Sequence, residues 1–353
     1  MALSSIEHAI RDFAAGKLVI VVDDEDRENE GDLILAAEMA TQENIAFMIR
    51  HTSGIICAPS EASRLAALGL PIMVEQNSDP LRTAFTVSTD YIRGMTTGVS
   101  ALERANTLRA LATDGLPAED FIKPGHIFPL RYRAGGVLVR SGHTEAAIDL
   151  CKLAGLKPVG ALAELNHDDG TMMRLPALVE FAEAHQLCII SIESLIRYRA
   201  EHDVLVTQVS TQSMTLASVK FQAHIYETVF DGKLITALVK GDIDSEIPTL
   251  VRVVKGVHGR DFLASALVSD NVISRSLQLI AAAEQGVFIY LPPADEMEVE
   301  DEQSGAVWRE VGVGSHILAS LGVRRIHLLA SKELTYPGIK SFGLSIESII
   351  KED

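Results

Sequence analysis

The sequence predicts an α/β protein of two domains, each a mixed β-sheet layered with helices, and three observations carry that expectation. Short β-branched runs alternate with amphipathic helical segments, the pattern of sheets covered by helices. The length, 353 residues, is enough for two separate cores. A polar stretch then interrupts the alternation: after Arg199-Ala200-Glu201-His202-Asp203, residues 204–215 are rich in Ser, Thr and Gln. The domains are therefore expected at 1–203 and 212–353, with 204–211 as linker.

In the first domain, Ile6, Ile10 and Phe13 fall on one helical face that ends at Gly16. Residues 18–22 form a continuous, largely β-branched run and read as a buried strand. Residues 41–50 read as a helix capped by Thr41, and 60–68 as another capped by Ser60, with Ser63, Arg64 and Ala67 on its wetter side. Residues 85–89 alternate like a half-buried strand. A helix is expected over 100–112, a strand entered through glycines over 135–140, and helices over 144–153 (ending at Gly155) and 178–185. In the second domain strands are expected near 219–227, 234–239, 250–254, 287–291 and 326–329, with helices over 274–284 and 315–321. The acidic run 295–302 reads as a surface loop, and no internal repeat is present.

The net charge of −17 argues against wrapping nucleic acid or lying on an anionic membrane, since both need a basic face. Three cysteines, Cys57, Cys151 and Cys188, are too few and odd in number for a disulfide framework and suit a reducing compartment. The N-terminal stretch mixes charge into its apolar residues, unlike a signal peptide, and no apolar run approaches a membrane span. The expected location is the cytoplasm.

Chemistry concentrates in a few segments. Residues 23–32 hold seven carboxylates among ten residues, directly after a buried strand. Charge density alone fits a solvated loop equally well, but ligand sites gather at strand ends, and crowded carboxylates would be relieved by a hard cation such as Mg²⁺ or Mn²⁺. Gly31 would let the backbone approach a bound group. Arg140-Ser141-Gly142-His143-Thr144 joins a strand to a helix, where unpaired first-turn amides and a guanidinium suit a phosphate; an ordinary turn capped by Thr144 is the alternative. His143 could complete a metal shell. His126 sits in Lys123-Pro124-Gly125-His126, read as a rigid turn, where a histidine is more often structural. Glu164, in an apolar stretch, should be paired or have a raised pKa, as a proton carrier needs. Cys57 reads equally well as a small buried apolar residue.

Together these blocks resemble 3,4-dihydroxy-2-butanone 4-phosphate synthase, a family of riboflavin biosynthesis. The resemblance runs in order over about residues 5–203. It rests on Asp23-Asp24-Glu25-Asp26-Arg27-Glu28-Asn29-Glu30-Gly31-Asp32, Arg50-His51-Thr52-Ser53-Gly54-Ile55-Ile56-Cys57, Thr96-Thr97-Gly98-Val99-Ser100-Ala101, Lys123–His126, Arg140–Thr144, and Glu164 with Asp168-Asp169-Gly170-Thr171-Met172. It implies a three-layer domain that converts ribulose 5-phosphate to the four-carbon phosphate and formate, using Mg²⁺ or Mn²⁺, two per active site. By the same resemblance Glu28 and His143 are the metal ligands, and His126 and Glu164 are essential to catalysis. Arg27, Glu28, Asp32, Arg140, Ser141, Gly142, His143, Thr144 and Glu164 contact substrate, and Cys57 and Thr97 line the pocket. It further implies a homodimer with the site near the interface, His126 serving the neighbouring chain. Lys123 stands where the family has arginine.

The second domain resembles GTP cyclohydrolase II through Asp231-Gly232-Lys233, residues 237–242, Pro248-Thr249-Leu250-Val251-Arg252-Val253, residues 312–318, Leu321-Gly322-Val323-Arg324 and Phe342-Gly343-Leu344. That family holds zinc with three cysteines. Here the corresponding stretches read Val257-His258-Gly259-Arg260-Asp261 and Leu267-Val268-Ser269-Asp270, and no cysteine follows Cys188. Tyr290-Leu291 leads into Pro292-Pro293-Ala294-Asp295 instead of a Gly-Arg-Gly run, and Val311 replaces a tyrosine. No zinc is therefore expected, nor GTP hydrolysis. A bifunctional enzyme and a non-catalytic scaffold or binding module of the flavin pathway are the alternatives.

Overall fold

The computed structural model describes residues 3–24, 27–216, 219–256, 272–293, 305–330 and 339–351. The acidic run 295–302 and the stretches 257–261 and 267–270 lie outside the described residues. The chain divides into two compact units, Met1–Ile196 and Arg197–Asp353.

The first unit contains α1 (Ile6–Ala14), β1 (Val19–Val22), β2 (Gly31–Ala36), α2 (Gln42–His51), β3 (Cys57–Ser60), α3 (Ala62–Ala67), β4 (Thr89–Tyr91), α4 (Ala101–Ala112), β5 (Phe121–Arg131), α5 (His143–Leu153), β6 (Gly160–Glu164), α6 (Leu175–His185) and β7 (Cys188–Ser191); α7 (Ile192–His202) contains the division. The strands form one mixed sheet, in the order β4-β5-β3-β6-β2-β1-β7. β1 runs parallel to β7 and antiparallel to β2, and β6 runs antiparallel to both β2 and β3.

All four residues of β1 are buried because both faces of the sheet are covered. Ile20, Val22, Leu33 and Leu35 join Ile45 and Met48 of α2, Leu108 of α4 and Leu178 of α6 in one core. Alternation turns Val21, Asp32 and Ile34 to the opposite face, where α5 packs on β1, β2, β3 and β6. The result is a three-layer unit in which Asp32 is buried beside Val21 and Ile34 under α5.

Capping fixes several helix starts as the sequence predicts. The Thr41 side chain accepts the Asn44 N–H and Asn44 reaches back, and Ser100 pairs with Glu103 in the same reciprocal way. Other expectations need correction. Ser60 belongs to β3, and α3 begins without a side-chain cap. Within 85–89 only isolated bridges form before β4 begins at Thr89. Residues 136–138 form a short 3₁₀ turn where a strand was expected. Gly135 and Gly136 adopt φ of 97° and 67°, which reverse the chain, and Asp149 accepts the Val137 N–H at 2.8 Å. Lys123–His126, expected as a turn, lies within the bounds of β5 as an unpaired bulge, since Asp90 pairs with Ile122 and Thr89 with Ile127. Gly142, not Thr144, occupies the N-cap of α5.

The second unit contains β8 (Val206–Leu216), β9 (Val219–Thr228), β10 (Leu234–Lys240), β11 (Thr249–Lys255), α8 (Val272–Ala282), β12 (Gly286–Leu291), α9 (Gly305–Ser320), β13 (Arg325–Ala330) and β14 (Ser345–Lys351). They form a second mixed sheet, in the order β14-β13-β11-β12-β10-β9-β8, over a core that includes Phe221, Leu238, Leu277, Ile280 and Phe288. Residues 206–211, expected within a linker, pair with β9 instead. Their Ser, Thr and Gln are the exposed residues of an edge strand, which a composition scan cannot tell from a polar linker. No described helix is long and apolar enough to cross a membrane.

Candidate active site

The loop between β1 and β2 folds around one of its own acids. Asp23 accepts the N–H of Glu28 through Oδ2 at 3.0 Å and the N–H of Glu30 through Oδ1 at 2.8 Å. Asn29 turns the chain with φ 55°, a conformation asparagine tolerates better than most residues. Arg27 Nη1 meets Asp23 at 3.0 Å and also contacts Glu28, so part of the predicted charge crowding is neutralised locally. Gly31, expected to admit a bound group, instead makes room for Leu178, whose Cδ1 a Cβ there would overlap.

His143, the first residue of α5, lies against this loop. Its Nε2–H donates to the Val21 carbonyl at 3.1 Å. A carbonyl can only accept, so the proton sits on Nε2 and Nδ1 presents a lone pair. Nδ1 lies 3.9 Å from Glu28 Oε2 and 4.0 Å from Asp32 Oδ1. Burial lowers the His143 pKa against the pull of Asp23 and Glu28, favouring the neutral ring that a metal needs.

Asp32 is 2% exposed, and its Oδ1 has no hydrogen-bond partner. Burial, reinforced by the carboxylates of Glu164, Glu28, Glu30 and Asp23, pushes its pKa well above the usual range. One oxygen each of Asp23 and Glu28 and a ring nitrogen of His143 lie within 4.8 Å of one another. An imidazole lone pair, two carboxylates and an orphaned buried oxygen beside them fit a hard divalent cation.

The register of the sheet extends this site. Glu164 is the cross-strand partner of Asp32, and Cys57 that of Leu162, two residues back on β6. Asp32, Glu164 and Cys57 therefore share one face. The Cys57 thiol is buried and its pKa is pushed up by that burial and by the charges of Glu164 and Asp32, so it is an inert wall and not a nucleophile. Glu164 is only partly buried; its Oε2 accepts the Ser53 hydroxyl at 2.7 Å and its carbonyl the Ser53 N–H at 2.9 Å.

His126 and Thr97 belong to a second cluster, centred on Asp90 of β4. Asp90 is 3% exposed and accepts twice from His126: the main-chain N–H at 2.8 Å and Nδ1–H at 2.7 Å. That fixes the tautomer, leaving Nε2 as the acceptor on a side chain that is 44% exposed. The loop carrying Thr97 closes over this pair at Gly98, where any Cβ would overlap the Asp90 carboxylate. Glu103 anchors that loop by accepting from the Thr96 and Ser100 hydroxyls at 2.7 and 2.8 Å and from their N–H groups. These bonds hold its pKa at about 2.

In the Arg140–Thr144 turn, Arg140 is already engaged. Its Nη1 pairs with buried Glu145 at 2.8 Å and its Nη2 donates to the Leu81 carbonyl at 3.2 Å. Gly142 leaves room for this ion pair, and Ser141 and Thr144 stand beside it at the start of α5. Burial raises the Glu145 pKa, with Arg140 opposing the shift. No local motif marks Asp90, Glu145 or Arg174 as part of a site. The last, at the N-cap of α6, donates to the main-chain carbonyls of Glu28 at 2.8 Å and of Asn29.

Comparison with known proteins places the chain in a family. The family model for 3,4-dihydroxy-2-butanone 4-phosphate synthase matches residues 7–198, and that for GTP cyclohydrolase II matches 207–300 and 293–351. A bifunctional riboflavin biosynthesis protein of the chloroplast, RIBA 1 from Arabidopsis thaliana, is 45% identical over 97% of this chain and 68% of its own length. The crystal structure of RibBX, a two-domain 3,4-dihydroxy-2-butanone 4-phosphate synthase from A. baumannii, superposes with a TM-score of 0.84. It is 34% identical, covering 99% of this chain and all (100%) of that one. A synthase structure in complex with two magnesium ions gives a TM-score of 0.55 at 44% identity, over 57% of this chain and 99% of that one. The chain belongs to the 3,4-dihydroxy-2-butanone 4-phosphate synthase family and is a lyase of riboflavin biosynthesis with a second domain of GTP cyclohydrolase II type.

Proposed function

We propose that the first unit converts ribulose 5-phosphate to 3,4-dihydroxy-2-butanone 4-phosphate and formate, with Glu28 and His143 holding Mg²⁺ or Mn²⁺, two ions per site. The observation that carries this reading is the His143 tautomer: Nε2 is committed to Val21, so Nδ1 faces Glu28 and Asp32 as a ready ligand. The cation supplies positive charge where a ketose develops an oxyanion as its α-proton leaves.

The protein groups do the rest. Asp32, with a pKa raised by burial, exchanges a proton with substrate. Glu164, oriented by Ser53, and His126, oriented by Asp90 with Nε2 open, carry protons in the later loss of water and release of formate. The first-turn amides of α5, with Arg27, Arg140, Ser141, Gly142 and Thr144, receive the phosphate end. Cys57 and Thr97 line the pocket. Ile55, Ile92 and Val99, on loops, and Leu102, in the first turn of α4, are 45–52% exposed next to the His126 cluster and support a homodimer in which His126 serves the neighbouring chain. Saturating EDTA should abolish formate release from ribulose 5-phosphate; undiminished release would refute the metal reading, and no turnover at all would favour a scaffold.

The second unit, in this reading, does not hydrolyse GTP and supports assembly or regulation. Residues 189–353 contain no cysteine, so a three-thiolate zinc site cannot be assembled. The bifunctional reading, favoured by the name of the Arabidopsis relative, predicts formate and a pyrimidine product from GTP; neither should form.

A further inference from the structure

We propose that Arg174 is a positioning residue for the metal site: it fixes the main chain of the acidic loop so that the Glu28 carboxylate faces His143. This inference rests on the reading of Glu28 as a ligand.

Glu28 is gripped at both of its own peptide groups. Its N–H donates to the buried carboxylate of Asp23 at 3.0 Å, and its carbonyl accepts from Arg174 Nη1 at 2.8 Å. The same nitrogen donates to the carbonyl of Asn29, the residue at φ 55° where the loop turns back toward β2. Asp23 thus holds the loop from inside through N–H groups, and Arg174 holds it from outside through carbonyls. The Glu28 side chain takes no part in this second grip; its Oε2 contacts Arg27 and lies 3.9 Å from His143 Nδ1. Arg174 stands at the N-cap position of α6, which packs against β1 and β7, so the clamp ties the acidic loop to a rigid element. Among the described residues, the loop carboxylate that pairs with Arg174 is that of Glu30, at 4.0 Å, farther than the main-chain oxygen of Glu28 at 2.8 Å, so the guanidinium acts on the main chain more than on charge.

The sign of the effect separates positioning from electrostatics. Removing a positive charge close to a cation site should tighten cation binding by Coulomb's law, whereas loss of positioning should weaken it. Mn²⁺ binding to the full chain is read from the electron paramagnetic resonance signal of free Mn²⁺, alongside turnover. Arg174→Ala is expected to raise the Mn²⁺ dissociation constant about 10- to 100-fold, the usual cost of losing an outer partner of a ligand. Saturating Mn²⁺ should then return kcat to within about threefold of the unmodified chain, because the ligands themselves remain. Arg174→Lys keeps the charge, but its shorter stem ends before the point where Nη1 meets both carbonyls and lacks the rigid guanidinium plane that aims it, so it should fall between. Unchanged or tighter Mn²⁺ binding in Arg174→Ala overturns the proposal; if that variant does not fold, unchanged binding in Arg174→Lys does so. Glu28→Gln, run in parallel, should lose Mn²⁺ binding. If it binds normally, the ligand reading itself falls, an outcome distinct from failure of Arg174 alone.

Discussion

Replacing Asp90 with asparagine tests how the His126 cluster works. The substitution keeps shape and volume, and the new side-chain oxygen can still accept the His126 N–H that now meets Oδ1 at 2.8 Å. The other position changes sign: an amide nitrogen replaces the oxygen that accepts Nδ1–H at 2.7 Å. Two donors cannot face each other, so the ring must move its proton to Nε2 and present Nδ1 to the amide. Nε2, the exposed atom, then carries a proton where it had a lone pair, and His126 no longer accepts one from substrate. Loss of a positioned general base costs about 10²–10⁴ in rate, or roughly 3–5.5 kcal/mol of barrier. The fold should lose no more than about 1 kcal/mol, because only one of the two bonds to a neutral partner changes. Formate release under saturating ribulose 5-phosphate and Mg²⁺ reads kcat, and thermal unfolding of the same samples reads stability. Activity within twofold of the unmodified chain would refute the reasoning, since it would mean the tautomer set by Asp90 is irrelevant to turnover.

Glu28→Gln should abolish formate release with less than about 1 kcal/mol lost in folding, since its side chain supports no part of the core; circular dichroism and the coupled assay check both. Asp32→Asn should abolish activity while raising the unfolding midpoint of metal-free protein at neutral pH, by a few degrees for ~1–2 kcal/mol of relieved charge burial. The gain should shrink as the pH falls, because protonation of Asp32 relieves the same cost; a lower midpoint at neutral pH would contradict this. Glu103, held at about 2 against an ordinary value of 4.5, stabilises the Thr96–Ser100 loop fully above pH 4.5, and that contribution is lost as the pH falls toward 2. The difference in midpoint between the unmodified chain and Glu103→Gln should therefore be constant above about pH 6 and fade in acid; a pH-independent difference would count against it.

Much of this molecule is legible from local pattern. The β-branched run of β1, the apolar spacing of α1, and the reciprocal caps of α2 and α4 are each written within a dozen residues, where helical and strand periods act directly on the chain. The two-domain α/β plan follows from their alternation. The proposal of Glu28, His143, His126 and Glu164 as site residues also comes from contiguous motifs, read through a family resemblance.

What the sequence could not determine is set by register and by contacts between distant segments. Asp32 reads as one more acid in a charged loop, yet it is a strand residue, buried because β2 pairs Val21 on one side and Glu164 on the other. Lys123–His126 reads as a turn because proline and glycine usually break strands; the four residues bulge out between Ile122, paired with Asp90, and Ile127, paired with Thr89, and the pairs on either side carry β5 through. Asp90 meets His126 across 36 positions and Arg174 meets Glu28 across 146. Periodicity decides which face a side chain occupies, but only the folded chain decides which side chains from other elements meet it there. The protonation states on which the chemistry depends are consequences of that second decision.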